Sequence, residues 1–222
     1  MDSTLASSSS RKDLEVSASK QALFFNYHEF SVTRYIDIGD TQETEHTDDQ
    51  ALCITHFPNV YCALGSLQFR ETRLVRIPRR FEFHVDIPEF STQLPGQEPA
   101  ALVNSATNKR FVARGIYQGQ VYGLSSVSPL SGHLSDAEFQ EIVETVNAFL
   151  RQAYTCTSKQ NFVNAVLDTL TFHLWNVMAI RMFKSPLLAL EDYVRVLNAS
   201  PWFYERKLRL ISPRRSGYLS VC

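Results

Sequence analysis

From Ser135 onward the apolar positions of this chain recur at helical spacing. Phe139, Ile142, Val143, Val146, Phe149 and Leu150 stand three or four residues apart, which places them on one face of a helix. Ser135-Asp136-Ala137-Glu138 precedes them and fits the S-x-x-E capping box, in which two side chains satisfy the first free helix amides. The pattern predicts a helix over about 135–153. A longer apolar run containing Val163, Leu167, Val177 and Met182 predicts a second helix over about 160–183. Pro186 suits the first turn of a third, over about 186–198, with Leu187, Leu190, Tyr193, Val194 and Leu197 facing inward.

Strand signals flank these helices. Thr72-Arg73-Leu74-Val75-Arg76-Ile77 is rich in β-branched residues, and Pro78 is expected to end it as an edge strand. At the other end, Leu208–Ile211 and Tyr218–Val221 read as strands on either side of a Ser212–Gly217 turn. The expected fold class is therefore α+β: three helices packed with a small antiparallel sheet from residues 70–78 and 207–221. Between them, residues 88–132 hold Pro88, Pro95, Pro99 and Pro129 and five of the eight glycines. That density of breakers marks a loop-rich insertion, with a short strand pair of Phe111-Val112 and Val121-Tyr122 turning at Gly119. Residues 1–20 are polar and Ser-rich, with too little apolar surface to offset the entropy of ordering, and are read as a disordered tail. Residues 21–66 are read as extended aromatic docking segments around an acidic loop at Thr41–Gln50. Residues 67–222 then form the α+β domain that carries the insertion.

Charge changes the picture more than composition does. The 222 residues are 44% hydrophobic with a formal net charge of -1, which excludes a generally basic nucleic-acid binder. Yet ten of the 22 cations fall in residues 67–80 and 200–222. Folded together, Arg73, Arg76, Arg79, Arg80, Arg209, Arg214 and Arg215 would make one basic surface suited to an anionic membrane. The 22 residues of the second helix from Phe162 to Phe183 would reach roughly 33 Å, enough to cross a bilayer, but Asn164, Asp168, His173, Asn176 and Arg181 interrupt it. A charge at bilayer depth costs about 2.5–3.5 kcal/mol on insertion scales, so this helix is expected to bury its apolar face in a partner or the headgroup layer. Phe162, Val166, Leu170, Leu174, Trp175 and Met178 are the candidate partner-binding residues. The first 30 residues lack the basic start and apolar run of a signal peptide, so a cytosolic or cytosol-facing location is expected.

Catalytic and metal chemistry find little footing. Cys53-x-x-His56 with Cys62 nearby resembles half a zinc site, but no second Cys/His pair accompanies it. His173 and Asp168 lie five residues apart, which is not a one-face spacing on a helix. A Gly-rich phosphate loop, G-x-S-x-G and H-E-x-x-H are all missing. Neither catalytic residues, a metal site nor a cofactor is expected.

Several strings carry a resemblance. Ala22-Leu23-Phe24-Phe25-Asn26-Tyr27-His28-Glu29-Phe30, Val75-Arg76-Ile77-Pro78-Arg79-Arg80-Phe81, Ala189-Leu190-Glu191-Asp192-Tyr193-Val194 and Pro213-Arg214-Arg215-Ser216-Gly217 resemble the fungal Ras-modification accessory subunits of the golgin subfamily A member seven family. The resemblance implies a non-catalytic partner of a DHHC-type protein S-palmitoyltransferase, in a heterodimer that palmitoylates Ras. The accessory chain would stabilise the catalytic subunit and support palmitate transfer and membrane targeting of Ras. It also implies a peripheral position on the cytosolic face of the endoplasmic reticulum membrane, or the Golgi. The alternative is a peripheral adaptor of those membranes with no role in acylation. Vertebrate relatives carry cysteines on the second helix where Val166 and Thr169 stand here, so attachment would rest on the apolar face and the partner.

Overall fold

A computed structural model describes residues 29–81, 86–104, 109–155, 185–218 and 220–221. The tail at 1–20 and the helix expected over 160–183 lie outside the described residues. Within them the chain is α+β, with short antiparallel sheets around two long helices and two short ones.

The first described stretch is mostly strand. β1 (Phe30–Val32) pairs with β4 (Leu52–Ile54), while β2 (Arg34–Asp37) pairs with β3 (Glu43–Glu45). β5 (Phe57–Pro58) pairs with β6 (Arg73–Leu74) across the short helix α1 (Leu67–Glu71), which Ser66 caps. The loop-rich stretch closes onto this layer, because β9 (Gly115–Tyr117) joins β2 and β10 (Gln120–Tyr122) joins β9, giving the order β10-β9-β2-β3. Tyr35, Leu52, Ile54 and Tyr122 form its core. The hairpin expected at Phe111-Val112 and Val121-Tyr122 is thus shifted on its first arm. Gln118 and Gly119 both adopt positive φ (49° and 75°), as a two-residue hairpin turn demands, and this sets Gly115 opposite Tyr122. A side chain at Gly115 would strike the Tyr35 ring at 2.4 Å, so a glycine is needed at that strand position.

The second layer is helical. α2 (Asp136–Tyr154) begins with the expected capping box, Ser135 and Glu138 each accepting from the other's backbone amide. α3 (Pro186–Ala199) carries Pro186 in its first turn, and α4 (Pro201–Glu205), which sequence reading did not anticipate, follows at once. Phe139, Val143, Val146 and Leu150 of α2 are buried against Leu190, Val194 and Phe203 and against Ile77 and Phe90 of the sheet. Full burial of such side chains contributes about 1.5–3 kcal/mol each.

That sheet has β7 (Ile77–Arg80) at its centre, between β11 (Ser220–Val221) and β8 (Glu89–Phe90). The strand expected over 72–77 is therefore split into β6 and β7, and Pro78 does not end it. The two neighbours take different halves of β7: β11 pairs with Ile77 and Pro78, and β8 with Arg79 and Arg80. The Pro78 carbonyl accepts from the Ser91 amide at 2.9 Å.

Two helix asparagines act as strand substitutes. Asn147 of α2 accepts from the Phe90 amide and donates to the Phe90 carbonyl, both at 2.9 Å. Asn198 of α3 does the same for Leu210, at 2.7 and 2.9 Å. This explains why Leu208–Ile211, expected as a strand, pairs with no strand among the described residues. A side-chain amide has taken the hydrogen bonds a neighbouring strand would make. The Pro213–Ser216 turn closes as a single 3-10 turn ending at Gly217 (φ 64°).

Candidate docking surface

The fold brings the two arginine-rich segments side by side, since β11 lies against β7 and Leu208–Leu210 packs across the start of α2. Arg73 and Arg209 line a shared slot of about 100 Å3, walled by Leu74, Ile77, Phe139, Ile142 and Phe203 among others. Beyond the ridge Leu208–Leu210, a wider groove of about 620 Å3 continues past Arg209, Arg215, Arg195, Glu191 and the exposed ring of Tyr204.

The expected basic residues divide by what they touch. Arg80 donates to Glu89 at 3.2 Å, and Arg151 of α2 reaches the same carboxylate at 3.0 Å. Glu89 is buried, so Arg80 belongs to an internal ion pair. A buried carboxylate held by two guanidiniums is costly to break by removing one partner. Arg76 stacks on Phe57, Arg79 on Phe81 and Arg215 on Tyr61, at 4.6, 4.8 and 4.8 Å from the ring centres. Arg214 approaches Glu191 at 3.9 Å, and Ser212 donates to the same glutamate at 2.6 Å. Among the described residues no ion pair engages Arg73, Arg209 or Arg215. Arg195 and Tyr204 were missed by sequence reading. Glu191, Arg195 and Asn198, at i, i+4 and i+7, were a legible polar face of the third helix. Tyr204 gave no signal.

The apolar candidates Phe162, Val166, Leu170, Leu174, Trp175 and Met178 lie outside the described residues. Among the described residues no helix is long and apolar enough to cross a membrane. Cys53 and His56 sit in the strand layer, and among the described residues no group of three metal-capable side chains includes them. Cys53 is buried and donates to the Leu124 carbonyl at 3.5 Å, and burial, reinforced by Glu29, pushes its thiol up to about 11. His56 stacks on Tyr122 at 4.4 Å between ring centres, and burial followed by the Arg73 charge lowers it to about 4. A neutral imidazole and a protonated thiol at neutral pH form a packed polar cluster with no thiolate to attack or ligate.

The profile of the Golgin subfamily A member 7/ERF4 family matches residues 74–222. The chain belongs to this family. It is similar to the Ras modification protein ERF4 of Kluyveromyces lactis, 49% identical over 94% of this chain and 80% of that protein. The Eremothecium gossypii protein of the same name is 48% identical over 90% of this chain and 84% of its own length. The Saccharomyces cerevisiae one is 46% identical over 98% and 97%. The family match begins at Leu74 of β6, so it takes in the helical layer, the β7 sheet, Arg76, Arg79 and Arg80 of the first arginine segment and the whole of the second. The relatives extend the likeness through the N-terminal strands.

Proposed function

We propose that this chain is a non-catalytic accessory subunit of a DHHC-type protein S-palmitoyltransferase that modifies Ras. Its role is to stabilise the catalytic subunit and support palmitate transfer, from a peripheral position on the cytosolic face of the endoplasmic reticulum or Golgi membrane. The observation that carries the reading is the likeness, over nearly the whole chain, to proteins named for Ras modification. The buried, protonated Cys53 supports it, because a thiol held at about 11 is a poor acyl carrier at neutral pH. The residues proposed to engage the enzyme are those of the apolar run from Phe162 to Met178.

The test is co-purification of tagged chain with the acyltransferase in mild detergent, together with labelled-palmitate transfer to Ras with and without this chain. Loss of transfer in its absence is expected. Transfer that proceeds equally well without the chain would refute the accessory role and favour a membrane adaptor. Leu170→Asp with Leu174→Asp is expected to release the enzyme, and retained binding would remove the proposed contact from that run.

A further inference from the structure

The apolar run is not the chain's one candidate contact. The slot under Arg73 and Arg209 stands at the beginning of α2, beside Phe139.

We infer that the Leu208–Leu210 ridge and its flanking grooves form a receptor for an acidic polypeptide segment carrying a single apolar anchor residue. Three observations define the occupant. The first is size. A slot of about 100 Å3 is somewhat smaller than the roughly 150 Å3 apolar cavity that accepts a benzene ring, and suits one aliphatic side chain. The second is charge. Arg73 and Arg209 stand at the slot and Arg215 along the groove, without ion pairs among the described residues, while Glu191, the acidic residue lining that groove, is held by Ser212 and Arg214. Guanidiniums in this state complement carboxylates. The third is the backbone. Asn198 already takes both polar groups of Leu210, and the Leu208 amide donates to the Phe203 carbonyl at 3.1 Å. The edge of the ridge that carries these groups is thereby closed to strand addition, and slot and groove offer recognition through side chains: an anchor in the slot and acidic neighbours on the arginines.

The inference rests on the accessory-subunit reading only in expecting a polypeptide occupant, and its test needs neither the acyltransferase nor Ras. Full chain in mild detergent is titrated against a short fluorescein-labelled peptide of glutamates flanking one leucine, followed by anisotropy. Binding is expected to weaken at least about tenfold with Arg209→Glu, and to fall as salt screens the pairs. A peptide with alanine in place of leucine is expected to bind about tenfold more weakly, the loss of one filled apolar pocket. Arg209 is exposed, and thermal unfolding of each variant separates lost binding from lost folding; Arg73→Glu provides a second site on the slot. Binding unchanged by both variants, or none by wild type, overturns the inference. So does capture of phosphatidylserine vesicles in an Arg209-dependent way without peptide binding, which would make this a membrane-facing patch. Ras acylation that depends on the chain while peptide binding fails sinks this inference alone.

Discussion

Replacing Asn147 with leucine isolates the strand-substitute device on which the sheet–helix junction depends. Asn147 is fully buried and makes two hydrogen bonds of 2.9 Å to the backbone of Phe90, itself fully buried. Leucine is close in volume, so the main consequence is a buried amide and a buried carbonyl left without partners. Each such group costs about 1–3 kcal/mol, which sums to about 2–6 kcal/mol, or a fall of roughly 4–24 °C in Tm for a chain of this size. Asn147→Asp keeps the acceptor for the Phe90 amide but points a second oxygen at the Phe90 carbonyl, and is expected to be at least as damaging. Asn198→Ala breaks the same pair of bonds to Leu210, but Asn198 is only half-buried. Water can replace its bonds, and the cost is expected near about 1–2 kcal/mol. Urea denaturation followed by circular dichroism, with unchanged m-values, measures all three. Asn147→Leu within 0.5 kcal/mol of wild type, or a larger loss at Asn198 than at Asn147, would refute the reasoning.

Three further outcomes follow from the ionisable groups. Hydrogen bonds from Arg206 and then Ser135 hold the Glu138 carboxyl down at about 2. Its contribution to stability is therefore complete above the usual 4.5 and lost as pH falls from there toward 2, and the stability difference between wild type and Glu138→Gln should close over that range. His56 stays neutral in the folded chain, so protons bind preferentially to the unfolded chain between pH 6.5 and about 4. Stability drops as pH falls through that window, and NMR titration should find the His56 ring midpoint near 4; a midpoint near 6.5 contradicts the burial argument. Iodoacetamide at pH 8 should label half-exposed Cys62 well before buried Cys53, as read by mass spectrometry of the alkylated peptides, and the reverse order would show that the strand layer opens.

Short-range rules made part of this molecule readable in advance. The start of α2 follows from Ser135 and Glu138 alone, because a capping box acts within four residues, and the span of α3 from Pro186 and the Leu190–Val194–Leu197 spacing. The α+β class followed because helical and strand periods both persist long enough in the chain to be distinguished. The arginine clusters were visible as composition, but not which of them would be free. That Arg80 is absorbed by Glu89, which Arg151 shares, and Arg214 by Glu191, while Arg73 and Arg209 meet over one slot, depends on which elements the fold packs together. Neither propensity nor local pattern encodes such contacts. The same holds for Leu208–Ile211: its residues favour a strand, and it forms none because Asn198, brought close by the packing of α3, supplies a strand's hydrogen bonds from a side chain. Local sequence determined which segments turn helical or extended; only the tertiary packing decided which polar groups were satisfied inside and which were left facing outward.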